Sequence, residues 1–269
     1  MSDIYPDYKI QQLLDLNEYG FYAFMPDSDV VKNDLGYFIK NKSIETYSYV
    51  SPTDLGAKNF DDFLSFTYSY FSDGKEYFIV KHALDEYFKE NSKTLRQKQL
   101  IPYHLDIGMM HWQKDAKDML NPLSHVEYEL LPSKKVKKWV DVFFDAFVYP
   151  RSLRRYIIRM ATAQSENGIE FFVGYVSNKD VSCFCSFNDG IYRGIYGVGT
   201  RLRYRRRGYA SILMSNYILE TLKSDPKAKF CLQVQKRSGA ETLYSKLGFI
   251  EAVVQKRFDW DPSVFKSSS

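Results

Sequence analysis

The chain has 269 residues, of which 45% are hydrophobic and 26% charged, with a formal net charge of +4. That length suits two domains better than one, and the composition is that of a globular protein. The charge is too mild to imply nucleic acid on its own, the apolar runs are too short and interrupted for a membrane span, and Met1 to Asp7 has neither the basic nor the apolar region of a secretory signal.

The first half reads as a smaller α+β domain over residues 1–120. Ile10, Leu13 and Leu14 predict a first helix. Gly20 to Phe24, Gly36 to Ile39 and Ile44 to Val50 predict strands, the last by its alternation. Phe60, Phe63, Leu64 and Thr67 have helical spacing. Glu76 to Val80 predicts a strand, and Ala83, Leu84, Tyr87 and Phe88 a further helix. The polar stretch Glu90 to Gln99 predicts the start of a connection. No chemical motif stands out in this half.

The second half is clearer. Val126, Tyr128 and Leu130 alternate as in a strand. Val136, Val140, Phe143, Phe144 and Phe147 form an apolar helical stripe, and Leu153, Ile157, Met160 and Ala161 form a second. Three strands follow, at Glu170 to Val176, Val181 to Phe187 and Ile191 to Gly199. Their short turn-rich links make them antiparallel. A basic loop leads into a long helix with apolar positions Ala210, Leu213, Met214, Tyr217, Ile218, Thr221 and Leu222. Phe230, Leu232 and Val234 then predict a strand parallel to the one before the helix. Ser238 and Glu241 form a capping box that opens a helix with Leu243, Tyr244 and Leu247, and Gly248 closes it. Glu251 to Phe258 predicts a last strand.

Cys183, Cys185 and Cys231 are an odd count without a disulfide framework, which argues for a reducing, cytoplasmic setting. Cys183 and Cys185 fall on one strand face and read as buried thiols. His82, His104, His111 and His125 lack ligand spacing, so no metal is expected.

The chemistry concentrates between Val198 and Ala210. A strand ends at Val198-Gly199-Thr200, a basic loop turns through Arg205, Arg206 and Arg207, and a helix begins at Gly208-Tyr209-Ala210. Free amides at a helix start carry the positive end of the dipole, and small residues let a phosphate approach closely. Arg205-x-x-Gly208-x-Ala210 resembles the acyl-CoA signature of the GCN5-related N-acetyltransferase (GNAT) superfamily. Leu243-Tyr244-Ser245-Lys246-Leu247-Gly248-Phe249 resembles its C-terminal motif, and the element order over Leu123 to Trp260 matches as well.

The resemblance implies a GNAT-like mixed α/β sheet, with the acetyltransferase domain over residues 123–262. It also implies acetyl-CoA as cosubstrate. The pantetheine would lie between the strands ending near Thr200 and Gln235, and the pyrophosphate on amides from Arg205 to Ala210. Val198 would supply the oxyanion-stabilising amide and Tyr244 the proton for the leaving thiolate. Read from the residues alone, Tyr244 is a core residue and the arginines a solvated loop; the motif reassigns them. The strand Ile191 to Thr200 lacks the carboxylate that many family members use as base, which leaves Asp189, Glu170, a water chain or no base. Arg237 stands where an Asn is common, and Gln235 could replace that contact.

The expected acceptor is a small-molecule or peptide amine, with no nucleic-acid or membrane partner. The first domain would shape the acceptor pocket or a homodimer interface, or be a degenerate copy of the same fold. The alternative function is an acyl-CoA-binding sensor that has lost turnover.

Overall fold

The computed structural model describes residues 6–44, 48–52, 57–71, 78–82, 101–102, 107–122 and 126–260. The chain divides into two compact units. One comprises Met1–Met109 with Ala252–Ser269, the other Met110–Glu251.

The first unit opens with α1 (Pro6–Ala23), followed by β1 (Ser28–Lys32), β2 (Gly36–Asn41), β3 (Tyr49–Pro52), α2 (Ala57–Phe71), β4 (Phe78–His82) and β5 (Ile101–Pro102). β1, β2 and β3 are antiparallel neighbours, while β3 and β4, joined through α2, are parallel. Phe38, Val50, Phe63, Leu64, Phe71 and Phe258 form the core.

One strand expectation fails here. Gly20 to Ala23 belong to α1, because Leu14, Asn17, Glu18 and Phe21 bury one face at helical steps and override the local aromatic strand propensity. The alternation from Ile44 yields a strand only from Tyr49, with residues 45–47 outside the description. The helix expected at Ala83 to Phe88 and the connection at Glu90 to Gln99 also lie outside the described residues. β1, β5 and β6 (Ile107–Trp112) were not expected.

In the second unit, β7 (Glu127–Leu131) leads to α3 (Lys137–Phe147) and α4 (Arg154–Glu166). β8 (Glu170–Val176), β9 (Lys179–Asn188) and β10 (Arg193–Thr200) follow, then α5 (Tyr209–Ser224), β11 (Phe230–Gln235) and α6 (Gly239–Lys246). β7 to β10 are antiparallel in chain order, and β11 lies parallel to β10. A parallel neighbour needs a crossover, and α5 is that crossover. The first unit runs through the same succession, with β1, β2, β3, α2 and β4 in the places of β8, β9, β10, α5 and β11. α3 packs on one face of this sheet and α5 on the other. The alternation Phe171 and Phe172 follows, with Phe171 against Trp139 of α3 and Phe172 against Tyr217 of α5.

The last strand, β12 (Phe249–Trp260), begins in the second unit. Its later residues pair antiparallel with β4 in the first. There the buried Asp15 carboxylate accepts a 2.5 Å hydrogen bond from Gln255, and Arg257 lies 3.7 Å from the buried Glu18 carboxylate. Each of these buried α1 carboxylates therefore has a partner on the C-terminal strand.

Two features of β10 shape the site. Its parallel pairing with β11 is recorded only over Arg193–Ile195 against Phe230–Leu232. Its antiparallel pairing with β9 slips between Tyr196 and Gly199, where three steps on β10 face two on β9. Gly197 sits in this bulge at φ +60°, and an added Cβ would lie 3.0 Å from the Trp139 ring. A bulge of this kind takes a left-handed residue, which glycine adopts without steric cost. Gly197→Ala is expected to cost about 2 kcal/mol of stability, from backbone strain and contact with Trp139. Urea denaturation measures it, and an unchanged midpoint would refute this account of the bulge.

Candidate functional site

Where β10 and β11 stop pairing, a cavity of about 540 Å³ opens. Val198, Gly199 and Thr200 form one wall and Gly239, Ala240 and Leu243 of α6 the opposite one. Arg205, Arg206, Gly208, Tyr209 and Ala210 form its end, with Tyr204, Ala146 and Phe147 beside them. Of the residues expected at the site, Val198, Gly199, Thr200, Arg205, Arg206, Gly208, Tyr209 and Ala210 come together here. Arg207, Gln235 and Tyr244 are not part of this wall.

Gly208 caps α5 at φ 78° and ψ 0°, with no side-chain capping bond. The amides of the first helical turn therefore keep their donors, and the dipole adds positive potential. An added Cβ at Gly208 would meet only Ile212 Cδ1, at 3.9 Å. Left-handed backbone, more than lack of room, makes glycine the fitting residue there. Arg206 is also left-handed, at φ 60°, a conformation that recurs in the anion-binding nests of successive backbone amides. These features fit a diphosphate.

The arginines divide by role. Arg201 donates to the Asp180 carbonyl at 2.8 Å and to the Asp145 carboxylate at 3.1 Å. Arg205 donates to the carbonyl of Ala146 and, at 3.4 Å, to that of Thr200. Both tie the loop to the C-terminal end of α3, where free carbonyls favour a cation. Arg203 and Arg207 stand 4.9 and 5.9 Å from the Tyr204 ring, exposed.

The bulge is held from beneath. The Trp139 indole donates to the Phe184 carbonyl at 2.9 Å. The thiols of Cys183 and Cys185 lie 3.8 and 3.5 Å from the carbonyls of Gly197 and Tyr196. Burial pushes both thiols well above their ordinary range, so they stay protonated. All three cysteines are free and buried. Among the described residues, no group of three or more His, Cys, Asp or Glu could hold a metal ion.

The model of the acetyltransferase (GNAT) domain family matches residues 129–263, half of the chain. The chain belongs to the GNAT family.

No curated protein matches its sequence. Solved structures do match its fold. A GCN5-related N-acetyltransferase from Kribbella flavida is 13% identical, with TM-score 0.66 over 93% of this chain and 95% of that one. A tandem GNAT protein from the clavulanic acid biosynthesis pathway is 8% identical, with TM-score 0.65 over 95% of each chain. A functionally unknown protein from Staphylococcus epidermidis is 12% identical, with TM-score 0.65 over 90% of this chain and 97% of that one. The likenesses take in residues from both units.

Within the GNAT domain, α6 adds what its motif promised and one surprise. The Ser238 hydroxyl accepts from the Glu241 amide at 3.4 Å, but Glu241 reaches back to the amide of Arg237, at 2.6 Å, instead of that of Ser238. Arg237 itself is left-handed, at φ 61°. Asn adopts that conformation far more readily than Arg. Arg237→Asn is expected to stabilise the protein by roughly 0.5–1 kcal/mol, visible as a higher thermal midpoint; a lower one would contradict the strain.

Tyr244 is 7% exposed. Its ring meets Phe249 edge-on at 6.2 Å, within the cluster that includes Trp112 and Leu247. Burial pushes its phenol well above the usual range. Among the described residues, no hydrogen bond engages its hydroxyl.

The two carboxylates considered as base lie elsewhere. Asp189 caps its own turn, accepting from the amides of Ile191 and Tyr192 at 2.7 Å each. Glu170 pairs through Ser186 to the level of Ile195. That is two strands across and three residues back from Val198, roughly 14 Å at ~4.8 Å per strand and ~3.3 Å per residue.

Sequence reasoning did not place Ala146, Phe147, Tyr204, Gly239, Ala240 or Leu243 at the site, although Leu243 opens the motif that contains Tyr244. The small pair Gly239-Ala240 after the strand carrying Val234 was the available signal.

Proposed function

We propose that the chain transfers an acetyl group from acetyl-CoA to a primary amine by direct attack on the thioester. One observation carries this reading: the cavity at the divergence of β10 and β11 has the uncapped first turn of α5 at one end and the bulge residue Val198 in its wall.

In this reading the amides from Arg206 to Ala210 hold the pyrophosphate. The acceptor nitrogen forms the C–N bond as the carbonyl takes up negative charge. The amide of Val198 would stabilise that oxyanion, a donor of a type worth about 3 kcal/mol. As the C–S bond breaks, the Tyr244 hydroxyl donates to the departing sulfur. A free thiol has a pKa of about 8.5, and Tyr244 is held far above that, so it supports the thiolate as a hydrogen-bond donor more readily than it surrenders its proton. The attacking amine loses its own proton to water, since neither Asp189 nor Glu170 is placed to take it directly. Acetyl-CoA is the donor to test first; the tandem GNAT protein above was solved without AcCoA.

Release of free CoA thiol with a panel of amines and peptides tests the proposal. Acceptor-dependent release is expected. Saturable acetyl-CoA binding with no release on any acceptor would instead favour the sensor reading, which the lack of a nearby carboxylate base motivates. We place the acetyltransferase domain at residues 123–262 and its setting in the cytoplasm. Residues 1–120 would form a homodimer interface.

A further inference from the structure

A second cavity, of about 390 Å³, lies between the C-terminal half of α5 and the starts of β8 and β10. That is within the range of small-molecule pockets. Its floor is apolar and ordered: Phe172 and Tyr217 are buried with ring centroids 4.9 Å apart, and the Tyr217 hydroxyl is fixed by a 2.7 Å hydrogen bond with Ser186. Leu130, half exposed on β7, forms part of the rim.

The charges include one loosely paired acid and base. A structural pair closes to a hydrogen bond of about 2.8 Å, as Lys223 and Glu220 do on the rim at 2.7 Å. Glu170 and Arg193 face each other across the cavity at 4.0 Å, beyond hydrogen-bond reach. Burial raises the Glu170 carboxyl, and Arg193 offsets that only in part. The carboxylate, 39% exposed and without a close cation, can still accept from an ammonium, and the guanidinium, which also interacts with the Tyr217 hydroxyl, has further N–H donors for an anion. Two acids and two bases line the cavity, which disfavours polyphosphates and polyamines alike.

We propose that this cavity is a second small-molecule site that binds a zwitterionic amino acid with an apolar side chain, its ammonium against Glu170, its carboxylate against Arg193 and its side chain on Leu130 and Phe172. It is separate from the acetyl-transfer site. Arg193 and Val198 are five residues apart along β10, about 16 Å at ~3.3 Å per residue, so an amine held here does not reach the thioester. The proposal stands whether or not acetyl transfer does.

Isothermal titration calorimetry on the full chain tests it with L-phenylalanine and L-leucine as probes, beside phenethylamine and 3-phenylpropionate. Saturable binding of at least one amino acid is expected. The amine lacking the carboxylate and the acid lacking the ammonium should bind at least ~10-fold more weakly. Glu170→Gln and Arg193→Gln should each weaken the amino acid by a similar factor while acetyl-CoA affinity stays unchanged. Circular dichroism checks that both variants fold, and the two truncated probes test the same contacts on the unaltered protein. The idea is overturned if neither amino acid binds saturably, if either truncated probe binds as well, or if folded variants bind normally.

Discussion

Gly208→Val is expected to lower acetyl-CoA affinity at least ~100-fold, close to 3 kcal/mol, while the protein still folds. Gly208 is left-handed at φ 78° and caps α5 without a side chain. A β-branched residue cannot hold that conformation cheaply; the strain is about 1–2 kcal/mol. The chain would relieve it by rotating the cap, which turns the first-turn amides away from the cavity. An added side chain meets little protein there, so global stability falls only by the strain. Gly208→Ala shares the strain with less bulk and should fall between. Calorimetric titration with acetyl-CoA, beside a thermal melt, separates the two effects. Normal affinity in the valine variant would remove the phosphate role from this turn.

Tyr244→Phe is expected to reduce kcat about 100-fold, the lower range for losing one hydrogen-bond donor to developing charge, with acetyl-CoA affinity nearly unchanged. The ring packs against Phe249 and remains in place in the variant, so stability should change little. The lost hydroxyl has no hydrogen-bond partner among the described residues, so no protein contact is broken. Because burial raises the phenol well above its usual range, Tyr244 keeps its proton through neutral and mildly alkaline pH. The alkaline limb of the rate profile should therefore not report Tyr244 below about pH 10, the ordinary phenol value. An unaltered kcat in Tyr244→Phe would return the residue to the core.

Much of the second unit was legible because its signals are local. The stripe Val136, Val140 and Phe143 forms α3, and Ser238 and Glu241 open α6. Gly208 and Ala210 mark the turn because small residues at a helix start, which the proposed phosphate contact needs, are visible in the letters themselves. Other features were invisible for the opposite reason. That Arg205 would spend its guanidinium on the Ala146 carbonyl depends on where the end of α3 lies. That Gly197 would bulge depends on register with β9 and on the Trp139 ring beneath it. Gly20 to Ala23 misled because local propensity favoured a strand, while burial of Leu14 and Phe21 along one face decided for helix.

The sequence by itself determined the order of strands and helices in the second half, the glycine turn at Gly208 and the motif around Tyr244. Those follow from periodicity, capping and side-chain size, which act over a few residues. Only the tertiary structure decided which arginines brace the loop, that Glu170 and Asp189 stand away from Val198, and that the last strand pairs with β4. Those facts depend on residues distant in the chain meeting in space, through strand register and burial, and no local pattern encodes such meetings.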